Sequence, residues 1–304
     1  MSPGYIPAFT LEPTRLAPAP QPAAATEFTP KFINDVASGR VELPTIPRVV
    51  QQLIAALGDA NVDFRKIGDA LSKDPVLSAK VLRLANSSYF GGTRKMASID
   101  SAVAMIGSQA LKRLIVACGV SSAFQTVPGI DLRSFWRDAL LTATAAGKLA
   151  PGLAADPEEA YVCGLLHATG HLILCCSYPE IADAMFTGFA PVHGAELAAI
   201  EVEAFGIDHP QVGAIWVEHL GFPKAVSITI GESGKPVAEL RGPLHLALYG
   251  GRMLAAALAQ KDAAQTALAA LPPNLRAPFL GPNEQPNAAF NRLYDGLLET
   301  EPTF

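Results

Sequence analysis

The residues best placed to do chemistry fall in one short segment, Gly164-Leu165-Leu166-His167-Ala168-Thr169-Gly170-His171. His167 and His171 are four apart. On a continuous helix both imidazoles share a face and can take a divalent cation. Such a cation would activate water for attack on phosphorus. Two imidazoles without carboxylates are a weak donor set, and histidines hydrogen-bonded beside a core are the commoner arrangement. His209 precedes Pro210 and reads as a residue that helps cap a helix. His219 falls on an apolar helix face and reads as core, while His193 and His245 belong to no constellation. Cys118, Cys163, Cys175 and Cys176 form no Cys-x-x-Cys pair and lie in apolar stretches. Reduced, mostly buried thiols of a cytoplasmic protein are the expectation. Gly231-Glu232-Ser233-Gly234-Lys235 has the look of a phosphate-binding loop. However, Thr229 and Ile230 stand where its first Gly belongs, and Pro236 stands where Ser or Thr should follow. Ser87-Ser88 and Cys175-Cys176 have no base within sequence reach, so no nucleophile is assigned.

These residues must be held by elements whose character the composition sets. Of 304 residues, 50% are apolar, 17% charged and only 7% aromatic, with mean hydropathy +0.26. That excludes a disordered chain, and the Ala-rich, aromatic-poor mix favours close-packed helices over a β-sandwich. No apolar run reads as long enough to cross a bilayer, and the start lacks the pattern of a secretory signal. Residues 1–27, rich in Pro and Ala, read as a disordered lead-in. Helix signals follow. Thr29-Pro30 opens a helix that Gly39 ends; Val49, Val50, Leu53, Ile54 and Leu57 share a face until Gly58. Phe64, Ile67 and Leu71 mark a helix over 63–72, and Asp74-Pro75 opens the next. Asp100 and Ser108 are candidate caps for two more, and Asn86 is expected to end a helix in the left-handed conformation. Beyond 128, the pattern predicts helices over 131–150, 157–176, 178–188, 194–205, 209–220 and 240–260. A loose tail follows, carrying one short amphipathic piece near 287–298.

Charge is unevenly shared. Residues 28–128 carry 12 Lys/Arg against 7 Asp/Glu, and residues 129–304 carry 10 against 19. Lys80, Arg83, Lys112 and Arg113 can form a basic stripe on the first half. A net +5 over a hundred residues is a weak footprint for nucleic acid, and a solvated or docked face is the default reading.

The segment around His167 resembles the central motif of the HD superfamily of metal-dependent phosphohydrolases, in which His-Asp sits within Gly-Leu-Leu-His-Asp-Ile-Gly-Lys. The wider pattern, over about residues 30–260, resembles the HDOD (HD-related output) domains of bacterial signalling proteins. The matching segments are Leu43-Pro44-Thr45-Ile46-Pro47, Asp74-Pro75-Val76-Leu77, Leu82-Arg83-Leu84-Ala85-Asn86-Ser87-Ser88-Tyr89-Phe90 and Ile99-Asp100-Ser101-Ala102-Val103 with Ile106-Gly107. Phe135-Trp136-Arg137, Glu201, Gly206-Ile207-Asp208-His209 and Gly221-Phe222-Pro223 follow in order.

What the resemblance implies turns on the departures from it. The first metal-ligating His of the enzymes maps to Asp138. The His of the pair is kept as His167, its Asp partner is Ala168, and the last Asp maps to Gly251, within Leu248-Tyr249-Gly250-Gly251-Arg252. The Lys that often follows the motif is His171. The resemblance therefore implies an all-α, two-lobed fold. Its N-terminal helical lobe (28–128) packs on a degenerate HD-like lobe (129–262), flanked by the lead-in and a tail over 263–304. It implies a non-catalytic cytoplasmic regulator with no cofactor and no bound metal. Asp138, His167, Ala168, His171 and Gly251 would line a vestigial pocket open to a ligand such as a nucleotide. The expected partner is a protein of a signalling pathway, with nucleic acid not expected and no membrane span. Two alternatives stand beside it. One is a divergent metal-dependent phosphohydrolase or phosphodiesterase using Asp138, His167 and His171; the other is nucleic-acid binding through the basic first lobe.

Overall fold

Aspartate carboxylates start four of the helices, each accepting backbone N–H bonds that the first turn leaves without a partner. Asp74 accepts from Leu77, Asp131 from Arg133, Asp156 from Glu158 and Glu159, and Asp208 from Gln211. Proline follows at the first or second helical position in three of the four. The computed structural model describes residues 31–55, 64–86, 96–186 and 195–298. Among them it contains helices and turns but no strand, only an isolated bridge between Leu280 and Pro286. The lead-in 1–27, Thr29-Pro30, Leu57, Gly58, Ser87 to Phe90 and His193 lie outside the described residues.

The first half holds α1 (Lys31–Ala37), α2 (Arg48–Ala55), α3 (Phe64–Ser72), α4 (Pro75–Ala85), α5 (Ile99–Ile106) and α6 (Ser108–Ser121). The middle holds α7 (Leu132–Leu149), α8 (Pro157–Leu166), α9 (Thr169–Ser177), α10 (Pro179–Phe186), α11 (Ala195–Phe205), α12 (His209–His219), α13 (Lys224–Gly231) and α14 (Pro243–Ala259). Residues beyond 263, expected as a loose tail, add α15 (Ala264–Ala270), α16 (Pro273–Arg276) and α17 (Ala288–Leu298). They fold back because Leu268, Leu271, Leu275, Phe290 and Tyr294 bury themselves against Leu141, Ala145, Leu149 and Leu254 of α7 and α14.

Helix α7 is the axis. It packs against α8 and α14 through small residues that let backbones approach. A Cβ at Gly164 would lie 2.5 Å from the Ala143 Cα, and one at Gly147 3.1 Å from the Pro157 carbonyl oxygen. Gly164 meets Ala143 and Gly147 meets the start of α8, so α7 and α8 run antiparallel. One cluster of buried side chains runs from Phe32 to Leu248, across the expected lobe boundary at 128/129. Polar ties cross it too. The Trp216 Nε1–H donates to the Pro44 carbonyl at 2.8 Å, the Tyr178 hydroxyl donates to Asp35 at 2.9 Å, and Arg113 grips Glu158 with two nitrogens at 2.6 and 3.1 Å.

Several local expectations change. Ser98, not Asp100, caps α5, in a reciprocal pair with Ser101; Asp100 sits inside the first turn. Gly107 precedes α6, so Ser108 is its first residue. Asn86 ends α4 at φ −86°, not in the left-handed region. Its side-chain amide donates to the Leu82 and Met96 carbonyls and accepts the Met96 N–H, joining the two ends of an intervening segment. His219 is exposed in the last turn of α12, not core. Helix α13 was not anticipated; its Val226, Ile228, Thr229 and Ile230 favour strands by propensity, and packing overrides that.

The expected single helix over 157–176 is broken at His167-Ala168, where Ala168 adopts φ −108°, ψ 0°. This same stretch, Pro157–Ser177, is long and apolar enough to cross a membrane by length and composition, with mean hydropathy 1.4, contrary to the reading of the sequence alone. Here 78% of its 18-residue apolar window is buried inside the protein, in α8 and α9.

Candidate functional site

The break at His167-Ala168 decides what the two histidines can do. They no longer lie on one helix, and each is committed separately. The His167 Nδ1 lies 2.8 Å from the Gly164 carbonyl, which assigns it the proton. Desolvation, with the Arg252 cation and His209 adding to it, pushes the His167 imidazole down to about 3, so it is neutral near pH 7.

His171 instead belongs to a cluster the sequence did not reveal. Its Nδ1 lies 2.7 Å from Oε1 of Glu201, while the Glu201 Oε2 accepts from both the backbone N–H and Nδ1 of His209, at 2.7 and 2.6 Å. Glu201 is fully buried on α11. Burial alone would raise its carboxyl, but the His171 and His209 hydrogen bonds, with the charge on those rings, hold it below the ordinary value. The Cys175 thiol lies 3.8 Å from Nε2 of His171 and is pushed up to about 12, by burial first and then by Glu201. His209 does not cap α12, a task left to Asp208; it anchors the helix through Glu201. Glycines permit the approach. A Cβ at Gly170 would overlap the His209 carbonyl oxygen, so α9 and α12 touch backbone to backbone. His171, Glu201 and His209 were each visible in the sequence, but separations of 30 and 8 residues carry no periodic signal that would join them.

The other mapped positions hold no ligand set. Asp138 is about half exposed and pairs with its neighbour Arg137 at 3.1 Å. Ala168 offers no donor. At Gly251 a Cβ would lie 2.7 Å from the Thr142 carbonyl oxygen and 2.9 Å from Ala146. The space where the enzymes place a carboxylate is taken by the α7 backbone. Beside it, the volume bounded by Thr229, Ser233, His245, Tyr249 and Arg252 is too small to admit a water molecule. Among the described residues no three His, Cys, Asp or Glu side chains converge so as to hold a metal. The residues present thus do not fit the divalent ions of the phosphohydrolases.

The expected basic stripe is also divided. Lys112 is buried at 2% exposure, and Arg113 is spent on Glu158 and the Tyr161 ring, leaving Lys80 and Arg83 elsewhere.

The scaffold is that of the helical HD-like proteins. It aligns with a Shewanella amazonensis SB2B structure provisionally named a phosphohydrolase, at TM-score 0.66 and 26% identity, over 89% of this chain and 97% of that one. The HDOD domain model matches residues 43–236, and the chain belongs to the HDOD family. A Geobacter sulfurreducens HDOD protein of unknown function shares the fold at TM-score 0.64 and 20% identity, over 87% of this chain and 91% of that one. An uncharacterized Treponema pallidum (strain Nichols) protein is 25% identical over 208 residues, 66% of this chain; the chain spans 39% of that relative's length.

Proposed function

We propose that this protein is a non-catalytic regulatory module of bacterial signal transduction that acts by binding a protein partner. The observation carrying this reading is the seat of Gly251. Helix α14 closes on α7 where a phosphohydrolase needs a metal-binding carboxylate, and Ala168 and the outward Asp138 leave no compensating donors. The phosphohydrolase alternative needs Asp138, His167 and His171 to act together, and each is bound to a different partner. Family membership supports the signalling part. A Marinobacter aquaeolei VT8 structure provisionally named a signal transduction protein shares the fold at TM-score 0.60 and 23% identity, over 86% of this chain and 60% of that one. The divided stripe gives no support to nucleic acid.

The test is elemental analysis of purified protein together with hydrolysis of bis-p-nitrophenyl phosphate in Mn2+ or Mg2+. Trace metal and no turnover are expected. About one tightly held metal per chain, or turnover lost on His167→Ala, overturns the reading.

A further inference from the structure

A cavity lies away from the mapped pocket, where the C-terminal half of α4 meets α6 and the start of α7. It measures about 220 Å³ and opens to solvent. Lys80, Arg83 and Arg133 stand around it, and Leu84, Leu132, Phe124 and Trp136 form its apolar walls, with Cys118 and Ser121 from α6. Arg83 and Arg133 are exposed and Lys80 half-buried. Among the described residues none of these three side chains forms an ion pair or hydrogen bond, whereas Arg113 and Arg40 have carboxylate partners. The Asp131 carboxylate at the start of α7 is occupied by the Arg133 backbone N–H and the Ser134 hydroxyl.

Three cations that form no ion pair among the described residues stand around one mouth and repel one another, and an anion relieves that repulsion. The walls behind them call for a different chemistry. Phe124 and Trp136 meet at 6.1 Å between ring centroids, and Trp136 is itself fixed edge-on by Phe135 at 5.1 Å. A flat apolar body can lie against the edges of these rings and the two leucines that face the cleft. A cationic mouth over an apolar, partly aromatic floor suits a ligand with an anionic head and a planar ring. The volume is below the roughly 300–1,000 Å³ of sites that enclose drug-sized molecules. It suits one ring system with its phosphate at the mouth and does not enclose a dinucleotide.

We propose that this cleft binds a small organic phosphate built on a single flat ring system, the class of a nucleoside monophosphate. The phosphate sits among Lys80, Arg83 and Arg133, and the ring against Phe124, Trp136, Leu84 and Leu132. The site joins α4, in the first half, to α7, the axis of the second, so an occupant braces the two. The proposal is independent of whether the mapped HD pocket is inert.

Calorimetric titration of the full chain with AMP, GMP, CMP and pyridoxal phosphate tests it, with adenosine and inorganic phosphate as the two half-ligands. At least one of the four should bind saturably and weaken with added salt. Arg83→Gln/Arg133→Gln should weaken that binding by about tenfold or more, and each half-ligand should bind at least about tenfold less tightly. The two arginines are exposed, so circular dichroism of the variant should match the parent. Saturable binding by none of the four, binding unchanged in the double variant, or inorganic phosphate binding as tightly as the whole ligand would each overturn the proposal.

Discussion

Glu201 is the residue whose removal should be felt most. Its two oxygens serve two imidazoles and one backbone N–H, all buried. Glu201→Ala takes the carboxylate away from all three in a low-dielectric site and should cost about 3–5 kcal/mol, read as a fall in urea midpoint. Loss of less than about 1 kcal/mol would mean that water replaces the carboxylate. His167 gives a separate pH signature. Its folded-state value is depressed, from 6.5 to about 3, so below pH 6.5 the unfolded chain takes up a proton that the folded one refuses. Stability therefore falls as pH drops through that window. Glu201 acts in the same direction but lower, since a carboxyl held below 4.5 loses its contribution only as pH falls through its folded value. His167→Asn should therefore flatten the stability profile from pH 6.5 down toward 3, by at most about 2 kcal/mol at pH 5, and leave the contribution of Glu201 in place. An unchanged slope between pH 5 and 6.5 would show that His167 titrates normally. Residue types allowed both His167 and His171 to be hydrogen-bonded beside a core, and both are. They could not show that His171 answers to Glu201, because that bond exists only once α9, α11 and α12 are packed.

Helix starts were the most legible elements, because an Asp followed by Pro at the first or second position satisfies local donors whatever surrounds it. Asp74 lies where such a pattern places it, whereas at α12 the reading gave the cap to His209 and the structure gives it to Asp208. The helix break at His167-Ala168 has no such local sign. Neither residue is Gly or Pro, and the turn serves the separate burial of α8 against α7 and of α9 against α12. Gly251 and Gly170 were equally silent, since both have ordinary helical backbones and matter only for what lies across from them. Gly251→Ala places a methyl 2.7 Å from the Thr142 carbonyl oxygen, too near for side-chain adjustment, so α14 must shift from α7. The expected cost is about 1–3 kcal/mol, and Gly251→Asp should cost more, because a carboxylate is buried as well. Thermal melts of the two variants check this ranking. If Gly251→Asp is as stable as the parent and binds Mn2+, the helix pair is adaptable and the non-catalytic reading loses its chief support.

For the molecule as a whole, the contrast between a +5 first half and an acidic remainder suggested two lobes, yet apolar burial does not stop at 128/129. One cluster joins Phe32 to Leu248, and the Leu43–Pro47 segment is pinned to α12 by the Trp216 bond to Pro44. Burial is non-directional, so a shared core couples the stability of whatever it joins. Unfolding in urea should accordingly be one transition. Far-ultraviolet circular dichroism reports every helix, while fluorescence reports Trp136 and Trp216, both beyond the boundary; the two midpoints should coincide. Trp216→Phe removes the bond to Pro44 and part of a fully buried side chain, costing at least about 1 kcal/mol. If the halves share one core, that loss moves the circular dichroism midpoint together with the remaining Trp136 signal. If the halves fold separately, the helical signal splits into two steps and only one of them shifts. The second outcome would make the first half an independent unit docked by a few polar ties, and would remove the mechanical basis for a ligand at α4 and α7 to influence the rest of the chain.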